Sequence, residues 1–133
     1  MKTYTMARWF ALAAGAMDFA TGAGLVFMPA FTLGAMGVAA PGAEALVFLG
    51  WVGAFVGAVG ASYLATLARG DARRLRDLFV LTMLFRAAAG GYCAAAVLRG
   101  QLEPRWVVVA ATDLALVAGQ AWFLTRKEWG DER

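Results

Sequence analysis

The sequence contains no histidine and only one cysteine among its 133 residues. Without imidazole, the chain is excluded from histidine-ligated haem, histidine metal sites and Ser-His or Cys-His catalysis. A single thiol, Cys93, gives neither an internal disulfide nor a Cys-x-x-Cys redox pair. No glycine-rich phosphate loop follows a strand pattern. We therefore expect a chain that is not an enzyme and has no cofactor.

Charge is also scarce. Charged residues make up 16% of the chain and apolar residues 62%, whereas charged residues alone make up about 25% of a soluble domain. This balance predicts a protein embedded in a lipid bilayer. Spanning helices of roughly 20 residues each would use most of the length, so no soluble catalytic domain fits. The net charge of +3 comes from arginines at helix ends, and nucleic acid is not an expected partner.

Four segments are long and apolar enough to span a bilayer. They are residues 8–28, 45–67, 78–98 and 106–125. The pattern predicts an all-α, polytopic membrane protein, a four-transmembrane-helix bundle that forms one domain over residues 1–133.

The basic residues outside these spans are distributed unevenly. Nine fall on the side shared by the N-terminus, the second loop and the C-terminus: Lys2, Arg8, Arg69, Arg73, Arg74, Arg76, Arg126, Lys127 and Arg133. Only Arg99 and Arg105 fall on the other side. Because cytoplasmic loops carry the excess of basic residues, both termini are expected in the cytoplasm.

The first loop, residues 29–44, has no basic residue and mixes large apolar side chains with glycine and alanine. Two readings stay open: a short interfacial helix on the outer leaflet, or a plain connector. In either case Pro41 and Gly42 are expected to turn the chain into the second span.

Three ionisable residues, Asp18, Arg86 and Asp113, lie in the middle of apolar runs. At 1.5 Å of rise per residue, they lie about 15, 13 and 19 Å from the cytoplasmic ends of their helices. One arginine side chain covers that spread, so both carboxylates can reach the same guanidinium. The sequence therefore predicts a buried Asp18–Arg86–Asp113 cluster.

This cluster has two readings. With two acids and one base it is net negative when fully ionised, so one aspartate is expected to hold a proton or a cation. The cluster would then be a proton or cation site, or the floor of a ligand cavity. Alternatively, it is a buried ionic network that only fixes the packing of the helices.

Other polar residues extend the same helix faces. Thr21 follows Asp18 by one turn, Thr82 precedes Arg86 by one turn, and Gln120 follows Asp113 by two turns. We expect these three side chains to line the polar interior.

The second span carries glycine at three- and four-residue spacing, at Gly50, Gly53, Gly57 and Gly60. Such a stripe lets two helix backbones approach closely inside a membrane. It predicts a helix-packing seam, whose partner is a helix of this chain or of another protein.

The motifs together resemble the DoxX-like family of small bacterial four-helix membrane proteins. The resemblance covers roughly the first hundred residues. It rests on the segment GLVFMPAFTLGAMG, in which the first helix ends, on the glycine-rich second span, and on Arg86 with Gly90 and Gly91 in the third. It implies a multi-pass protein of the cell inner membrane, and some members look like accessory subunits of quinone-linked oxidoreductases. This chain shows no redox residues of its own.

Two functions remain. The first is a non-catalytic accessory subunit, or a small-ligand-binding bundle, whose partners are the lipid bilayer and a larger membrane complex or further copies of itself. The second is a compact transporter that couples protonation of Asp18 or Asp113 to substrate movement. Small multidrug exporters also use a first-helix carboxylate, but their pattern lacks a compensating arginine such as Arg86, which favours the first reading.

Overall fold

The computed structural model describes residues 2–126, and every regular element in that range is helical. Lys127 and Arg133, which entered the count of basic residues, lie outside the described residues. The elements are α1 (Lys2–Phe27), α2 (Pro29–Ala35), α3 (Ala43–Arg69), α4 (Ala72–Leu98), a 3-10 turn (Pro104–Trp106) and α5 (Val107–Thr125). Four of them, α1, α3, α4 and α5 with its preceding turn, are long and apolar enough to cross a membrane.

Two helices begin several residues before the predicted spans. Helix α1 starts at Lys2 and α4 at Ala72, because a helix continues past its apolar stretch wherever its first turn is satisfied. Asp71 supplies this for α4, since its carboxylate accepts hydrogen bonds from the backbone N–H groups of Arg73 and Arg74 at 2.9 and 3.3 Å. The apolar stretches therefore predict where the spans lie, but the start of α4 depends on the Asp71 cap.

The C-terminal end of α4 is set by backbone geometry. Gly100 has φ 69°, in the left-handed region that favours glycine. Its N–H donates to Val97 O at 3.0 Å, and the N–H of Gln101 donates to Ala96 O at 2.9 Å. This pair of bonds satisfies two carbonyls at the helix end and stops the helix.

The first loop contains a short helix, so a connector without secondary structure is wrong for this segment. Pro29 opens α2, where its missing N–H removes no helical bond. Leu33 is buried, whereas Phe27 and Phe31 are 81% and 72% exposed. The end of α1 and the short helix α2 therefore each expose a phenylalanine ring.

The chain divides into two compact units. The α1–α3 unit covers residues 10–69 and holds most of α1 with α2 and α3. The α4–α5 unit covers α4, α5 and the turn between them, together with residues 2–9 at the start of α1.

In the α1–α3 unit, the glycine seam of α3 faces α1 of the same chain. A Cβ built on Gly53 would lie 2.6 Å from Leu25 Cβ, and one built on Gly60 would lie 2.7 Å from Gly15 O. Both distances are shorter than real Cβ contacts allow, so only glycine fits. The two backbones approach closely because these side chains are absent.

The other seam positions, Gly57 and Gly50, are less crowded. A Cβ on Gly57 would lie 3.7 Å from Gly22 Cα, an ordinary contact distance, and one on Gly50 would lie 3.7 Å from Leu25 O. On the α1 side of the same contact there is less room, because a Cβ built on Gly22 would lie 2.6 Å from Gly53 O. The close contact therefore depends on glycine in α1 as well as in α3.

In the α4–α5 unit, the two helices run antiparallel through a connection of five residues before the 3-10 turn. The buried residues of α4 recur every three or four positions along one face of the helix. They are Leu75, Phe79, Thr82, Arg86, Gly90, Cys93 and Ala96. Two of the seven, Thr82 and Arg86, are polar, so the face that α4 buries carries the candidate site.

Candidate functional site

Arg86 and Asp113 form a direct ion pair between α4 and α5. The distance from Arg86 Nη1 to Asp113 Oδ1 is 3.0 Å, and the guanidinium donates a hydrogen bond to the carboxylate. The side chains are only 6% and 18% exposed. Such charge-assisted contacts are among the stronger hydrogen bonds in proteins, and burial weakens the screening by water.

Gly90 provides the room for this pair. It lies one turn beyond Arg86 on the same face of α4, and a Cβ built on it would lie 2.9 Å from Asp113 Cβ. The adjacent Gly91 has nothing within 4 Å of the same hypothetical atom. The two neighbouring glycines therefore have different roles, and only Gly90 lets α5 bring its carboxylate against α4.

Thr82 and Gln120 form a second polar contact between α4 and α5. Gln120 Nε2 donates to Thr82 Oγ1 at 2.7 Å, and Thr82 Oγ1 donates in turn to Leu78 O at 2.7 Å. Both residues are almost completely buried. The two side chains expected to line an interior thus bind each other.

Two further contacts lie along α4 on either side of the Thr82–Gln120 and Arg86–Asp113 contacts. Cys93 Sγ donates to Trp106 O at 3.3 Å, and Arg76 Nη2 donates to Leu124 O at 2.9 Å. Positions later in α4 pair with positions earlier in α5 or, for Cys93, with the 3-10 turn before it, as antiparallel helices require. We call the four contacts Arg76–Leu124, Thr82–Gln120, Arg86–Asp113 and Cys93–Trp106 the polar ladder.

Asp18 and Thr21 lie on α1, in the α1–α3 unit. Asp18 is 6% exposed and Thr21 is half-buried. The expected place of Thr21 in a polar lining stays a prediction. The membership of Asp18 in a cluster with Arg86 and Asp113 stays a prediction.

Three residues that take part in helix contacts were not identified from the sequence, one in the polar ladder and two in the glycine seam. Arg76 was counted only as a cytoplasmic charge, although its guanidinium caps the last turn of α5. Gly15 and Gly22 are the partners of the seam in α1, and their spacing of seven residues, two helical turns, was the available signal.

The comparisons with known proteins give no relative. No family model, no curated protein and no solved structure matches this chain.

The chemistry open to the ladder is limited. Arg76 and Arg86 are donors with no acceptor capacity, Gln120 and Thr82 are neutral, and Cys93 is a weak thiol donor, so Asp113 is the carboxylic acid of the ladder. The arrangement can hold two helices in one register, and it can bind or release a proton at Asp113.

Proposed function

We propose that this chain is a multi-pass protein of the cell inner membrane with both termini in the cytoplasm. Four long apolar helices support insertion, because a helix satisfies its own backbone hydrogen bonds in lipid. The uneven distribution of basic residues supports the orientation. Exposed tryptophans also fit it, since Trp9 and Trp122 lie near one end of their helices and Trp51 lies near the opposite end of α3.

Within that membrane protein, the polar ladder holds α4 and α5 in one fixed register. We call this structural role the lock. The observation that carries this proposal is the Arg86–Asp113 ion pair at 3.0 Å, with both side chains largely removed from solvent. An ion pair whose two members bind each other away from water holds two helices in one arrangement, which supports a structural role. The role favoured is that of a non-catalytic accessory subunit or a small-ligand-binding bundle.

The DoxX-like relationship belongs to the same proposal. Gly90, which seats the carboxylate of Asp113, is one of the small residues on which the resemblance rests. Under this proposal, the partner is a larger membrane complex or a second copy of the chain.

A proton- or cation-coupled transporter is the alternative, and one observation favours it. Asp113 is the more exposed member of the ion pair, at 18% against 6% for Arg86. A carboxylate with remaining access is the requirement for a coupling residue.

Topology is tested by fusing a reporter to the C-terminus and inserting one beside Pro41. The proposal expects cytoplasmic activity at the C-terminus and external activity at the loop. A C-terminus outside the cytoplasm would contradict the orientation.

The choice between lock and transporter is tested in sealed vesicles that carry the purified chain, a pH-sensitive dye and an imposed pH gradient. The lock expects proton flux equal to that of empty vesicles. Flux that is present in the wild type and absent in Asp113→Asn would establish the transporter. The matched control is Thr112→Val, which changes a neighbouring polar residue whose hydroxyl bonds only to its own helix at Val108 O.

A further inference from the structure

One end of the α4–α5 unit is strongly basic. Among its described residues, six cations and two acids gather where α1 and α4 begin and α5 ends. The cations are Lys2, Arg8, Arg73, Arg74, Arg76 and Arg126, and the acids are Asp71 and Asp77. We call this group the basic end.

Two hydrogen bonds bring the three segments together. Tyr4 Oη donates to Gly70 O at 3.1 Å, which ties the start of α1 to the turn before α4. Arg76 Nη2 donates to Leu124 O at 2.9 Å, which ties α4 to the last turn of α5. The charges of the basic end therefore belong to one surface.

Most of this charge is not neutralised within the described part of the chain. Asp71 pairs with Arg74 at 3.2 Å and also caps α4. Lys2, Arg8, Arg73 and Arg126 are exposed, and none has an acidic partner within 4 Å among residues 2–126.

Aromatic rings hold two of these guanidinium groups at the helix ends. Arg126 Cζ lies 4.7 Å from the centre of the Trp122 ring, and Arg8 Cζ lies 5.8 Å from that of Tyr4. Stacking of this kind restricts the long side chain while leaving its N–H donors available. Tryptophan and tyrosine are also the side chains that favour the level of lipid headgroups.

The opposite end of the same unit lacks this pattern. It carries Arg99 and Arg105, and Arg105 lies 3.7 Å from the carboxylate of Glu103. The net charge is therefore concentrated at the basic end.

We propose that the basic end binds the headgroups of anionic phospholipids. A phosphate diester accepts hydrogen bonds from clustered guanidinium donors, and the lipid leaflet supplies it at the level where Tyr4 and Trp122 lie. This proposal rests on the membrane insertion proposed above. It adds that the bound lipids are selected by charge.

The test uses the full chain in micelles that contain equal amounts of phosphatidylglycerol and phosphatidylcholine with identical acyl chains. Native mass spectrometry counts the lipids that each chain retains. We expect phosphatidylglycerol to be retained in preference, and added salt to weaken the preference. Changing Arg8→Gln and Arg73→Gln together should lower the preference by about 25-fold, at about fivefold per charge.

Two matched variants make the test decisive. Changing Arg99→Gln and Arg105→Gln removes the same charge at the opposite end and should leave the preference unchanged. Changing Arg8→Lys and Arg73→Lys keeps the charge and should preserve most of it, which separates lost charge from lost folding. Equal retention of the two lipids by the wild type, or equal losses in both Gln variants, would overturn the proposal.

Failure of membrane insertion is recognised separately. The wild type is also reconstituted into vesicles of pure phosphatidylcholine. A chain that does not enter them contradicts the membrane proposal, whereas one that enters them but shows no lipid preference contradicts only the lipid site.

Discussion

The adjacent glycines of α4 give a sharp prediction, because a methyl group at one of them collides with α5 and at the other meets open space. A Cβ on Gly90 would lie 2.9 Å from Asp113 Cβ, about 0.5 Å closer than the 3.4 Å at which ordinary contact begins. Relief of that overlap has to move Asp113 away from Arg86. Overpacking of this kind costs about 1–3 kcal/mol.

At Gly91 a change to alanine should instead raise the free energy of unfolding. Alanine in place of glycine stabilises a helix by about 0.5–1 kcal/mol, and nothing lies within 4 Å to offset this gain. Both changes gain the same helix propensity, so Gly90→Ala should be less stable than Gly91→Ala by the overpacking cost alone, about 1–3 kcal/mol. Unfolding of both variants in the same detergent, followed by circular dichroism, measures the difference. Equal stability of the two would refute the close approach of α4 and α5 at Asp113.

Three further outcomes are expected in the same unfolding assay. Gly22→Ala should destabilise the α1–α3 contact by about 1–3 kcal/mol, because its Cβ would lie 2.6 Å from the Gly53 carbonyl, whereas Gly57→Ala should be tolerated; equal effects would contradict the seam geometry. Gln120→Leu removes the 2.7 Å bond to Thr82 and should cost about 0.6–1.7 kcal/mol; no loss would mean that the bond contributes nothing. Asp71→Ala removes the cap of α4 and should cost about 1 kcal/mol; an unchanged midpoint would contradict its role.

Much of the fold could be predicted from the sequence because an apolar stretch of about 20 residues is long enough for one helix of spanning length. The four long helices coincide with the four apolar stretches, and the seam of α3 follows from glycine spacing alone. Helix starts were less accurate. Charged residues such as Arg73 and Arg74 read as loop, but Asp71 caps the turn that contains them.

The polar contacts were predictable only in part. Periodicity placed Thr82 and Gln120 on the right faces of their helices, but it carries no information on the register between two helices. Thr82 and Gln120 were therefore predicted as two separate lining residues, and the hydrogen bond between them was not predicted. The different roles of Gly90 and Gly91 were hidden for the same reason, since two adjacent glycines give one signal until the position of Asp113 is known.

The central claim is that Arg86 and Asp113 lock α4 to α5, and a double-mutant cycle tests it most directly. The free energy of unfolding in detergent is measured for the wild type, Arg86→Leu, Asp113→Leu and the double variant. The lock predicts a loss of about 3–5 kcal/mol for each single change, because each takes the 3.0 Å ion pair away from the other buried charge, and a much smaller loss when both are replaced. Losses in the double variant that equal the sum of the single losses would contradict it.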